Sequence, residues 1–425
     1  MRIEDTDQER LVEGATKRIV ESLDWLGIKP DNDKPMVQSE RLETYKKHAF
    51  ELVNKGKAYI CTCTKEKLAE DRAKQEKEGR PPRYEGHCRT AELKLADMKE
   101  GCYTIRLKMP QEGKIVVDDL VRGKVEFDAK LLDDTIILKS DGFPTYHLAS
   151  VIDDSDMQIS HVIRAEEWLS STPKHLVLYE AFGLKPPAFA HLPMILGSDK
   201  KKLSKRHGAT SVLEFKKLGY LPEAITNFIA LLGWNPKDER EEFSLSELEK
   251  EFKLENVNKS SAVFDLEKLN HINADKLKNL EADKLKSLMS EFDLSDISEG
   301  ELELIGRGGY KTLKEAEDYI IKLRKEPTVS SEMLVFKKSD QEETKKGLEQ
   351  SLKALEGTTD EEWSDETIQN KLSEVVKEND LSNGDVFWPV RVALSGEEKS
   401  PSPVELAVAL GREETLQRVK KALGV

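Results

Sequence analysis

Two hydrophobic periods divide this chain, and the division limits its fold more than any single motif does. Up to about residue 209, short apolar runs alternate with segments of helical period, whereas from 273 to 425 almost every segment is helical by spacing. Alternating strands and helices predict an α/β layer. Leu11, Ala15, Ile19, Leu23 and Leu26 form one helical stripe, stopped by Gly27. Leu42, Tyr45, Ala49 and Leu52 form a second, ahead of Gly56. Residues 57–63 read as a strand, 64–78 as a charged helix, and short strands follow from 103, 114, 124 and 135. That block interrupts the α/β pattern. The predicted organisation is therefore an α/β domain in two parts, 1–50 and 141–209, with a mixed α/β insertion at 51–140. A connecting region at 210–272 leads to an all-α domain at 273–425. Helices are expected at 274–291, 308–325, 339–355, 364–378, 388–395 and 402–425, the last capped by Ser402 with Pro403 at its first position.

Charge and composition narrow the function classes. With 67 basic and 81 acidic residues the net charge is −14, which argues against a nonspecific nucleic-acid coat but not against a local cationic site. No apolar run approaches the roughly 18 residues of a membrane helix, and Met1-Arg2-Ile3-Glu4-Asp5 has no signal-peptide pattern. Four cysteines cannot staple a chain of 425 residues, so a reducing, cytoplasmic setting is expected.

Against that acidic background stands Gly197–Gly208, in which five of the seven residues from Lys200 to Arg206 are basic. It follows Leu192-Pro193-Met194-Ile195-Leu196, which reads as a buried strand. A cationic loop between glycines at a strand end suits a polyphosphate, because ammonium groups can follow charge that moves during phosphoryl chemistry. Taken locally, a solvated basic loop explains the same residues. Glu4, Asp5 and Asp7 fall at a strand end where α/β ligands sit, and also where helix caps sit. Tyr146, Arg164 and Glu166 fall where strands meet helices. Cys61 and Cys63, two apart on a strand, point the same way and could share a metal with Cys88. His87 is the nearest fourth ligand but is crowded by Cys88, so three packed thiols are the reading preferred over a metal site.

Arg2-Ile3-Glu4-Asp5-Thr6-Asp7 with Arg10, the segment 141–149, Val162-Ile163-Arg164-Ala165-Glu166-Glu167-Trp168, Lys202-Leu203-Ser204-Lys205-Arg206 and Trp388–Gly396 occur in that order. Together they resemble the bacterial-type glutamyl-tRNA synthetases of class I, the fourth segment being similar to the K-M-S-K-S signature. The resemblance spans nearly the whole chain. It implies a Rossmann-like catalytic domain, an acceptor-stem-binding insertion and a helical anticodon-binding domain. It also implies ATP-dependent activation of glutamate and its transfer to tRNA(Glu), with tRNA(Gln) left open, by a monomer that uses ATP and Mg2+ and spans no membrane. On the matching positions, Lys202 and Lys205 are the implied catalytic cations. Lys202, Ser204, Lys205, Arg206 and Glu166 would bind ATP, and Arg2, Glu4, Arg10, Tyr146 and Arg164 would bind glutamate. Asp7, Trp168 and Arg391 would meet tRNA.

Three departures qualify the match. A first strand, a P-S-P-T-G turn and an H-I-G-H helix precede R-I-E-D-T-D in the family and are absent from this sequence, so an incomplete or mis-started gene model is expected rather than a true short form. Its alternative is a catalytically inactive tRNA-binding protein. Ser150 replaces a common asparagine. Thr90 stands where zinc-binding members carry histidine, which leaves Cys61, Cys63 and Cys88 without a fourth ligand.

Overall fold

Tyr45, Ala49 and Leu52 lie three or four residues apart, so one helix turns all three inward, and each is fully buried. That inward face belongs to a computed structural model describing residues 1–32, 34–204, 206, 208 and 211–424. It comprises two units, Met1–Gly208 with Ile229–Phe264 and Ala209–Phe228 with Asp265–Val425.

The first unit opens with β1 (Arg2–Ile3), α1 (Ala15–Trp25) and β2 (Met36–Val37), β1 and β2 being parallel. Next come α2 (Leu42–Asn54), β3 (Ala58–Cys61), α3 (Lys65–Lys77), β4 (Thr104–Leu107), β5 (Lys114–Asp119), β6 (Gly123–Asp128) and β7 (Ile136–Leu138). The α/β pattern resumes with α4 (Tyr146–Asp156), β8 (His161–Ala165), α5 (Thr172–Phe182) and β9 (Ala188–Leu192). β3, β4 and β7 form an antiparallel sheet, and a second sheet has the order β6-β5-β9-β8. In it β9 is parallel to both β8 and β5, the latter through Asp119 opposite Phe189. The hairpin at 114–128 is thus hydrogen-bonded to β9, which carries His191, and β9 in turn to β8, which carries Arg164. One core runs through α2, α4, α5 and these sheets. Fully buried Asp153 of α4 braces it, accepting hydrogen bonds from Gln38, Arg41 and Tyr45.

Two expectations change here. The run 192–196 is not one buried strand: β9 ends at Leu192, and only Ile195–Leu196 (β10) resumes pairing, in parallel with β11 (Ala262–Val263). Pro193 interrupts it because proline has no N–H for a ladder. The stripe at 11–26 becomes a helix only from Ala15, and no residue of α1 is buried. Leu11, Val12 and Ile19 are exposed. Periodicity shows that a helix has an apolar face, not that the face has a neighbour.

Beyond the basic stretch lie α6 (Val212–Lys217), α7 (Pro222–Gly233), within which the division between units falls, and α8 (Leu245–Glu251). The second unit continues with α9 (Leu266–Lys278), α10 (Ala282–Met289), α11 (Glu299–Gly306), α12 (Leu313–Leu323) and α13 (Ser331–Leu334). It ends with α14 (Gln341–Glu356), α15 (Asp365–Glu378), α16 (Asn383–Ser395) and α17 (Pro403–Leu423). Serine-led capping boxes start α11, α16 and α17 by satisfying backbone N–H groups that a helix leaves open. The helix expected at 274–291 is two, α9 and α10. The one expected from 388 begins at Asn383 and carries Pro389 in its interior. Proline offers no N–H to the Asp385 carbonyl four residues back. Gly347 of α14 approaches that carbonyl so closely that a Cβ there would lie 1.9 Å from its oxygen.

Candidate active site

β8 ends in a planar cation held on three sides. Arg164 donates from Nη1 to the Tyr146 hydroxyl at 3.0 Å, from Nη2 to Thr172 Oγ1 at 2.9 Å and from Nε to His191 Nε2 at 3.1 Å. Tyr146 opens α4, and its ring lies 4.7 Å from that of Trp168. Burial pushes the Tyr146 hydroxyl pKa upward, against the lowering effect of Arg164's charge. His147 beside it pairs with buried His175, Nδ1 to Nε2 at 3.0 Å. Burial, reinforced by the charges of Lys174 and Arg164, lowers His147 to about 4 and His175 well below the ordinary histidine range. Both are neutral at pH 7.

From β1, Arg2 reaches Asp154 of α4 at 2.7 Å and Glu4 at 2.8 Å. It ties the strand end to the core, and Glu4 shares in that pairing. A cleft of about 750 Å³ runs past Asp7, Lys139, Asp141 and Tyr146 towards Cys61 and Cys63. Arg10 lies at the surface beside Asp7, 3.5 Å away. Ser150 is buried on α4, with its hydroxyl 3.5 Å from the His147 carbonyl. Of the residues singled out in the sequence, Tyr146, Arg164 and Trp168 therefore come together, and Arg2 with Glu4 forms a second group.

The basic stretch is a tight hairpin. Lys202 bridges back to Leu196, the Gly197 N–H donates to the Lys201 carbonyl at 2.8 Å, and Leu203 N–H donates to Ile195 at 3.0 Å. The turn places Lys200 at φ 58°, uncommon for a side-chain-bearing residue. Lys202 Nζ lies 2.7 Å from Glu167 on the surface, and Arg206 pairs with Asp199 at 2.9 Å. Ser204 is engaged in an interaction of its own. Lys205 lies outside the described residues. Glu166 accepts from the Met194 N–H at 3.1 Å and pairs with Arg122. One oxygen thus holds the crossing from β9 to the basic hairpin, and the other holds the turn between β5 and β6.

Cys61, Cys63 and Cys88 bring their sulfurs within 4.8 Å of one another. The Tyr84 hydroxyl sits 3.4 Å from Cys61 and 3.7 Å from Cys63. His87 turns away to Asp71 at 2.8 Å, so the nearest sequence candidate for a fourth ligand is not in the cluster. Burial raises the Cys63 thiol to about 12. Burial opposes ionisation of Cys61 too, but hydrogen bonding from Tyr84 and the nearby Arg106 guanidinium bring it down to about 7.

In the second unit, Arg391 of α16 lies over the Trp388 ring, 4.5 Å from its centroid, and donates to the Glu398 carbonyl. A cavity of about 580 Å³ is lined by Arg307, Tyr310, Tyr319, Lys322, Lys399 and Ser400, among others. The hydroxyls of Tyr310 and Tyr319 are buried there without a hydrogen-bond partner among the described residues.

Sequence reading missed Asp119, His191, Tyr84 and the two cavity tyrosines. Asp119 resembles any turn aspartate. The available signal was His191, a polar residue in an apolar strand, because buried polar groups need partners.

Parallel strands β5, β9 and β8 with an oriented arginine near the end of β8, a cationic hairpin beyond the next strand and a helical second unit make up a class I synthetase architecture. Residues 1–271 match the family model of the class I tRNA synthetases (E and Q), catalytic domain, and residues 282–423 match the anticodon binding domain. The chain belongs to that class I family. It is 44% identical to glutamate–tRNA ligase 2 of Thermoanaerobacter pseudethanolicus, across 100% of this chain and 90% of that protein. It is 41% identical to glutamate–tRNA ligase of Alkaliphilus metalliredigens, across 99% and 91%. The crystal structure of a glutamate tRNA ligase from Elizabethkingia meningosepticum in complex with its amino acid is similar, with a TM-score of 0.85 and 32% identity over 100% of this chain and 92% of that one. No described helix is long and apolar enough to cross a membrane.

Proposed function

We propose that this protein is a glutamate–tRNA ligase of the cytoplasm. A glutamate carboxylate oxygen attacks the α-phosphorus of ATP, which enters as its magnesium complex. Pyrophosphate leaves and glutamyl-adenylate forms. The terminal ribose hydroxyl of tRNA(Glu) then takes the acyl group and AMP departs. Such chemistry asks for positioning and charge stabilisation more than for protein acids or bases. Arg164 and Tyr146 face a substrate carboxylate, since a guanidinium suits planar two-point recognition. Glu4 meets the substrate ammonium. Lys202, with Lys205 and Arg206, follows the charge of the departing pyrophosphate. Trp168 and Asp7 flank the tRNA end. Arg391 and the cavity tyrosines meet anticodon bases, which are unstacked and can stack on aromatic or guanidinium planes. The observation that carries the reading is the three-sided fixation of Arg164 at the end of β8.

ATP–pyrophosphate exchange in the presence of tRNA tests it. Exchange that depends on glutamate is expected. Its absence, with tRNA still shifted in a gel, would leave the non-catalytic tRNA-binding alternative.

Three sulfurs with a phenol beside two of them favour a zinc site more than the sequence did, with Tyr84 in the position the sequence left empty. Such an ion would supply structural cross-linking of β3 to the 84–88 loop. Purified protein should carry one zinc per chain, lost on Cys88→Ser substitution.

A further inference from the structure

Three donors of Arg164 are committed inside the protein, and a guanidinium has five. Two N–H groups therefore remain for a ligand, and their direction depends on what fixes the other three. Thr172 is fully buried at the start of α5, and His191 is fully buried on β9. Arginine only donates, so His191 must present an unprotonated Nε2 to it. The other ring nitrogen, Nδ1, lies 2.6 Å from Asp119 Oδ2. A carboxylate only accepts, so Nδ1 must carry the proton. Both neighbours demand the same neutral tautomer.

Asp119 itself is immobilised by backbone N–H groups from Arg122 at 2.8 Å, Val121 at 3.0 Å and His191 at 3.1 Å. Burial would raise its pKa, but these bonds and the His191 contact hold it below the usual carboxylate range. Burial and the charge of Arg164 lower His191 despite Asp119, which keeps the ring neutral. The aspartate comes from β5 and the histidine from β9, two strands joined at Asp119 and Phe189.

We propose that Asp119 and His191 are positioning residues for the amino-acid subsite: Asp119 selects the His191 tautomer, and His191 Nε2 sets the plane of Arg164. The proposal rests on the reading that Arg164 binds a substrate carboxylate. Nothing in the relay touches substrate. Its effect is to turn the two uncommitted N–H groups of Arg164 towards one geometry, as partners behind a ligand do elsewhere.

Asp119→Asn tests the tautomer step. Its amide nitrogen would face Nδ1 and favour the Nε2–H form, setting two donors against each other at Arg164. The expected result is a glutamate KM raised about 10- to 100-fold, the range for losing an orienting partner. The ATP KM should stay unchanged, while the Tm falls modestly, because the amide nitrogen also meets the His191 backbone N–H that Oδ2 accepts. Nitrogen-15 spectra of His191 should show the proton moving from Nδ1 to Nε2. A second pair guards against misfolding: His191→Gln keeps an acceptor for Arg164 and should lose less glutamate affinity than His191→Leu. A fall in Tm with equal rises in both KM values would make Asp119 merely a structural brace and overturn the proposal, as would an unchanged glutamate KM. Arg164→Gln separates the two levels. If it leaves the glutamate KM unchanged, the reading of Arg164 fails; if it raises that KM while Asp119→Asn does not, only the relay fails.

Discussion

Gly347→Ala should cost stability at a position where helix propensity alone favours alanine. Gly347 lies within α14, and an added Cβ would meet the Asp385 carbonyl oxygen at 1.9 Å and its carbon at 2.8 Å. Both atoms are backbone of α16, so no side chain can rotate away. Reaching ordinary contact at 3.4 Å requires the helices to part by about 1.5 Å. In an open helix the change would stabilise by about 0.5–1 kcal/mol. Overpacking typically costs about 1–3 kcal/mol, and an unyielding backbone contact belongs at the top of that range. The net expectation is a loss of roughly 2 kcal/mol, read by calorimetry as a lower-temperature transition of the second unit. Gly306→Ala is the control, since nothing lies within 4 Å of the Cβ it adds. It should be neutral or slightly stabilising. Because α16 carries Arg391, Gly347→Ala should also weaken tRNA binding while glutamate-dependent chemistry in the first unit persists. Equal Tm values for the two variants would refute the close-approach argument.

Lys202→Ala should lower glutamate-dependent exchange by about 10²-fold, the scale for removing one preorganised charge-stabilising group, with little change in Tm. Arg391→Ala should weaken binding to cognate tRNA and reduce discrimination at one anticodon base by about 1–3 kcal/mol, read by comparing wild-type and base-substituted tRNA. The His147–His175 pair predicts an acid-labile first unit. Both pKa values are depressed on folding, to about 4 for His147, so the unfolded chain binds the extra protons. Stability is then full above about pH 6.5 and falls as pH drops towards 4, by roughly 1.4 kcal/mol per pH unit per histidine at most. A His147→Gln, His175→Gln double variant should flatten the Tm profile across that window, and an unchanged profile would exclude the pair as its source.

Much of the fold was legible because it follows from local rules. Helix periods placed α14, α15 and α17 to within a residue or two, and the short strands of the insertion read from alternation and turns. The helix expected from 388 starts five residues earlier, at Asn383, because a serine-led capping box opens α16 and the chain carries Pro389 in its interior, where local rules set a boundary. The hairpin at 195–203 was legible as a cationic stretch but not as a hairpin, because its hydrogen bonds belong to Ile195, Leu196 and Gly197 rather than to the lysines' side chains.

By itself the sequence determined the chemical inventory: a cationic segment, a tyrosine and an arginine at strand–helix junctions, three cysteines and a helical second half. Those depend on residue type and spacing along one stretch of chain. Which groups act together was decided only in three dimensions. Asp119 and His191 are 72 positions apart, Tyr84 and Cys61 are 23 apart, and no period or motif relates them. Their partnership comes from strand pairing and from burial, which leaves a polar group costly unless a specific neighbour meets it.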